Sequence, residues 1–150
     1  MRVGIDQSGK IGETKVPIAL AFSNGKHFVV YIPATVKREC LHKLRAKGKS
    51  GTTLYIQMFT VGLYLLLKNH IKDLKQAIID IEYPGHEAKI KEHLINLLHR
   101  AGVPIKPDII QFGYVGKKSN AHRMAIAVFS GKTKPDKVIE AIEVLQEFKK

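Results

Sequence analysis

Asp6 lies in the apolar run Arg2 to Ser8, and Asp80 and Glu82 lie in the run Ala77 to Tyr83. A carboxylate is costly to bury as an ion unless a cation, an arginine or a proton accompanies it. The chain has only 13 acids, so three within β-type runs is a placement that asks for a reason. Clustered carboxylates repel until a cation sits among them, and hard divalent ions such as Mg²⁺ and Mn²⁺ take oxygen ligands while keeping several waters. Two such ions roughly 3.5–4 Å apart activate a water and stabilise the departing oxygen of a phosphodiester. That chemistry assigns Asp6 as a carboxylate bridging both ions, Glu82 and His122 as flanking ligands, and Lys117 and Lys118 as phosphate contacts. Asp80 shares a face with Glu82 if the strand continues, because strand side chains alternate, so either or both could serve.

Three strands should deliver these groups to one place. Arg2 to Ser8 and Val16 to Phe22 are β-rich, and Asn24-Gly25 is a strong hairpin signal leading into His27 to Ile32, which Pro33 ends. Val36, Cys40, Leu41 and Leu44 then recur at helical spacing, and a second helix is expected over Thr53 to His70. Ala77 to Tyr83 reads as strand four. His86 to Arg100 reads as a helix closed by Gly102, Ile109 to Val115 as strand five, and Ser119 as the cap of a helix reaching Ser130. A last helix is expected from Thr133, with Thr133 and Asp136 as a capping box, Pro135 in its first turn, and Val138, Ile142 and Leu145 as its stripe. Strands reached through helical crossovers run parallel, so strands four and five should run parallel to strand one or to each other. If they stack as in the ribonuclease H fold, whose order of elements this resembles, the carboxyl ends of strands one, four and five lie side by side, where open α/β sheets bind ligands. Asp108, at the start of strand five, belongs at the opposite edge.

The chain's 150 residues fit one domain, 1–150, with 45% hydrophobic residues. A net charge of +12 attracts polyanions, nucleic acid above all. Lys10 and the run containing Arg45, Lys47 and Lys49 are candidate contacts to a nucleic-acid backbone. The lone Cys40 excludes an internal disulfide and suits a reducing cytoplasm. The most apolar stretch, Thr53 to Leu67, falls short of a membrane span of about 20 residues. His86, His93 and His99 lie on a largely polar helix and are expected to face solvent.

Val3 to Gly9 resembles the first motif of the RuvC-type Holliday junction resolvases, a branch of the ribonuclease H-like superfamily. Ile79 to Tyr83 is similar to their strand ending in a catalytic glutamate, and Ala121 to Ala127 to their closing helix. The resemblance implies an α/β ribonuclease H-like fold with a mixed five-stranded sheet: the first three strands antiparallel, strands four and five parallel to strand one. It places Asp6, Glu82 and His122 at three of the family's metal positions and Ser119 where a fourth, acidic one would stand. It further implies a Mg²⁺- or Mn²⁺-dependent endonuclease cutting four-way DNA junctions as a homodimer, with the Thr53–Leu67 helix available as the interface. Ser119 leaves open a nucleic-acid-binding module without chemistry, and a nuclease of RNA/DNA hybrids is the third reading.

Overall fold

The structure, a computed structural model, describes residues 2–116 and 119–149. Its sheet has six strands in the order β5-β4-β1-β2-β3-β6. These are β1 (Arg2–Ser8), β2 (Ile18–Asn24), β3 (Lys26–Ile32), β4 (Gln76–Asp80), β5 (Ile110–Gly113) and β6 (Lys137–Val138). β1 to β3 form an antiparallel meander, and β4 and β5 run parallel to β1. The helices are α1 (Ala34–Ala46), α2 (Gly51–Leu67), α3 (Glu87–Arg100), α4 (Asn120–Phe129) and α5 (Ala141–Leu145).

The alternation of side chains splits the sheet into two unlike faces. Val3, Ile5, Leu20, Phe22, Ala77 and Ile79 point into the main core, which α1, α2 and α3 complete. The other face carries small residues: Ala19 and Ala21 of β2 meet Ala125 and Val128 of α4. Small side chains on both sides let α4 lie close to β1, β2 and β3. Gly9 turns the chain out of β1 with φ +88, and a Cβ there would stand 2.1 Å from the Pro17 carbonyl oxygen. Only glycine fits that turn.

The hairpin at Asn24-Gly25, the Gly102 stop after α3 and the Ser119 cap of α4 are as expected, the last with His122 N–H donating to Ser119 Oγ at 3.1 Å. The tail differs. Residues 133–136 form no helix; Asp136 Oδ2 instead accepts from Val29 N–H at 2.7 Å, and the chain adds β6 beside β3. The sheet therefore gains a sixth strand, and the last helix starts only at Ala141, under a capping box of Glu140 and Glu143. Val138 and Ile142, expected in an apolar stripe, are 52% and 57% exposed. β4 and β5 are shorter than their apolar runs suggest: β4 ends at Asp80 before a bend, and β5 spans only Ile110–Gly113 after a turn at Pro107–Ile109. The helix put forward as a dimer interface is buried within this chain from Met58 to Leu67, between the sheet, α3 and α5. Its apolar surface is already covered.

Candidate metal centre

Parallel pairing of β1 with β4 sets Ile5 opposite Ile79. One step further along the same register, Asp6 and Asp80 stand side by side at the carboxyl ends of their strands, on the face that α4 covers. Neighbouring strands lie about 4.8 Å apart, so the two carboxyl groups are forced together. Glu82 is not part of β4, which ends at Asp80. It comes from the bend that follows, and its carboxylate swings back to the same corner. One oxygen from each of Asp6, Asp80 and Glu82 lies within 4.8 Å of the others.

Each acid is held by its surroundings. Asp6 is 6% exposed; its Oδ1 accepts from Gln7 N–H at 2.9 Å, and its Oδ2 lies 2.6 Å from His122 Nδ1. An ionised carboxylate only accepts, so in that state Nδ1 carries a proton and donates to Asp6. His122 thus touches Asp6 rather than joining the three acids as an equal. Asp80 Oδ1 accepts from Val115 N–H at 2.8 Å, which ties the end of β5 to the site. Burial raises the Asp80 carboxyl above its ordinary range, and the Asp6 charge and hydrogen bond push the same way against the Val115 N–H. Glu82 is raised further, from 4.5 to about 7, first by burial and then by the charges of Asp6 and Asp80, with Lys10 opposing. The corner is one in which negative charge is in excess of what the protein neutralises.

In front of Glu82 a cleft of about 350 Å³ is lined by Gln7, Lys10, Tyr55 and Tyr83, among others. Among the described residues the Gln7 Oε1 there is buried without a hydrogen-bond partner. An all-oxygen donor set with surplus negative charge and an unsatisfied carbonyl beside it fits a hard divalent cation and its waters. No family model, no curated protein and no solved structure matches the chain.

The cations expected around this corner divide. Lys10 acts on Glu82, and Arg45 reaches the cleft through a 3.0 Å hydrogen bond from Nη2 to the Tyr55 hydroxyl. Lys49 instead lies over the Phe148 ring and Lys47 lines a cleft beside Leu145, so neither is gathered with the acids. Lys117 and Lys118 lie outside the described residues. Asp108 sits in the turn before β5, away from the acids. His99 is exposed as expected, whereas His86 and His93 are half-buried and line a cleft between α2 and α3. Sequence reading missed Lys37. It is fully buried and donates to the Lys10 and Glu13 carbonyls, while Arg38 Nη1 donates to Thr14 O at 2.8 Å. Together they pin the β1–β2 loop, and with it Lys10, to α1. A lysine in the Val36–Leu44 pattern carries no signal for this, because its partners are backbone carbonyls more than 20 residues away.

Proposed function

We propose that the protein is a divalent-metal-dependent endonuclease that hydrolyses phosphodiester bonds in structured DNA. The observation that carries this reading is the convergence of Asp6, Asp80 and Glu82 from two parallel strands and a following bend, in a chain of net charge +12. A basic protein collects its few acids at one point most economically when that point binds a cation and the rest of the surface binds the polyanion. The strand order β5-β4-β1-β2-β3-β6, with β1 antiparallel to β2 and parallel to β4, is compatible with the ribonuclease H-like sheet that the resemblance implies, a sixth strand added, and supports the same reading. The four-way junction as substrate, and a homodimer to cut its two equivalent strands, follow from the resemblance of the motifs around Asp6, Glu82 and His122.

In this reading Asp6, Asp80 and Glu82 hold Mg²⁺ or Mn²⁺, one ion or two. The bound metal supplies an activated water and stabilises charge on the reacting phosphate. The protein's own groups do the rest. His122 fixes the orientation of the Asp6 carboxylate through the 2.6 Å contact. The Val115 N–H does the same for Asp80. Lys10 and Arg45 hold the phosphates that flank the cut. The test is cleavage of a labelled four-way junction in Mn²⁺, where Asp6→Asn and Glu82→Gln are expected to abolish nicking and leave binding in chelator intact. Steep salt-dependent binding by the parent with no nicking in any divalent ion would favour a binding module that lacks the chemistry.

A further inference from the structure

Beside the acids, on the face that α4 covers, the structure has a second cleft, of about 310 Å³. Its floor is Gly4 and Ile78, each two residues before an acid on the same side of its strand, Asp6 on β1 and Asp80 on β4. Ser23, Ser119 and Asn120 border it, and Tyr114 stands at its side. Tyr114 is 85% exposed, the most exposed of the large apolar side chains described. Its backbone is anchored, because the next residue, Val115, donates its N–H to Asp80 at 2.8 Å. Position 4 has no side chain, and Val115 packs over it: a Cβ there would stand 3.2 Å from Val115 Cγ1, so Val115 joins Gly4 and Ile78 in lining the cleft.

We propose that this cleft receives one unstacked nucleobase of the strand whose phosphate lies at the acids, with the Tyr114 ring as its stacking surface. The inference rests on the nuclease reading and adds how that site selects its substrate. An apolar lining of Gly4, Ile78 and Val115, one exposed aromatic ring and a border of hydroxyl and amide groups match a base, which offers a π-face and a polar edge. Other apolar ligands would leave the border unpaired. Two residues along a strand is roughly 7 Å, comparable to the reach from a phosphate to a neighbouring base. The net charge of +12 brings nucleic acid to this surface in preference to other partners. A base inside a continuous duplex is stacked on both sides and cannot enter, so the cleft selects for branch points, loops and ends, where bases come unstacked at lower cost.

The test compares the parent with Tyr114→Ala and Tyr114→Phe, all in chelator so that no cutting intervenes. The probes are a single-stranded oligodeoxynucleotide with one 2-aminopurine and the fully paired duplex of the same sequence. Tyr114→Ala is expected to weaken single-strand binding by on the order of tenfold, within the roughly 5- to 150-fold that stacking one base provides. Tyr114→Phe should keep both the affinity and the quenching of 2-aminopurine seen with the parent. Duplex binding should change in neither variant. Unchanged single-strand affinity in Tyr114→Ala, an equal loss in Tyr114→Phe, or an equal loss on duplex would overturn the proposal. Failure of the metal reading shows elsewhere, as absence of Mn²⁺ binding to the parent by calorimetry.

Discussion

Glu82 is where the electrostatics of the acid corner can be read most directly, by replacing it with glutamine. Its carboxyl is raised from 4.5 to about 7 by burial and by Asp6 and Asp80. The folded protein therefore holds a proton there that the unfolded chain has already released between those two pH values. Stability contributed by this group falls as pH rises through that window, and the penalty is complete above about pH 7. The displacement is worth roughly 3 kcal/mol at about 1.4 kcal/mol per pKa unit, and water at this half-buried carboxyl trims the expectation to about 1–2 kcal/mol. Glutamine keeps the shape and removes the charge. Urea denaturation in chelator should thus find Glu82→Gln no more stable than the parent at about pH 5 and about 1–2 kcal/mol more stable at about pH 8. Mn²⁺ should reverse the ranking, because an ion at 100 times its dissociation constant stabilises the parent by about 2.7 kcal/mol and the variant by less. A difference that does not change with pH, or a variant less stable than the parent at pH 8 in chelator, would show that Glu82 is not strained by its neighbours.

His122→Ala removes the 2.6 Å contact to Asp6 and should weaken Mn²⁺ binding about 10- to 100-fold by calorimetry, with the thermal midpoint nearly unchanged. Lys37→Met removes the ammonium's hydrogen bonds to the Lys10 and Glu13 carbonyls, which keep only their backbone donors Glu13 N–H and Val16 N–H, and should cost about 1.5–3 kcal/mol in urea denaturation, while loosening the loop that holds Lys10. Asp136→Ala takes away the acceptor for Val29 N–H and should cost about 1–3 kcal/mol, with faster amide exchange confined to β3 and β6.

The sequence made the acids and their strands legible because both depend on local pattern. The acids sit in short apolar, β-rich runs and the helices between them repeat at 3.6, so a parallel β4 was expected from the crossover, and its place beside β1 from the ribonuclease H-like order of elements. Glu82 was found for a partly mistaken reason. Its run was read as strand to Tyr83, whereas the chain bends after Asp80 and returns the carboxylate by a different path. The tail misled more seriously. Thr133, Pro135 and Asp136 have the residue types of a helix start, but Asp136 gains more by accepting from Val29 N–H at the otherwise unpaired edge of β3. An edge strand's free N–H is a demand that no local pattern reveals.

The same distinction explains why Asp80 was harder to place than Asp6. Alternation told only that Asp80 and Glu82 share a face if the strand continues, which left open whether one or both serve. Register removes the choice: once Ile5 pairs with Ile79, Asp80 must stand next to Asp6, whatever Glu82 does. The repulsion that follows is a consequence of backbone hydrogen bonding, and no rotamer change within the strands relieves it fully. His122, the Val115 N–H and the Gln7 N–H each offset part of it, and all three act on Asp6 or Asp80. At Glu82, which Lys10 opposes from a distance, the remainder adds to burial, the larger cause, in raising the pKa. A divalent cation would remove that remainder entirely, and so the acid that the fold supports least is the one whose neutralisation should most sharply report whether an ion belongs there.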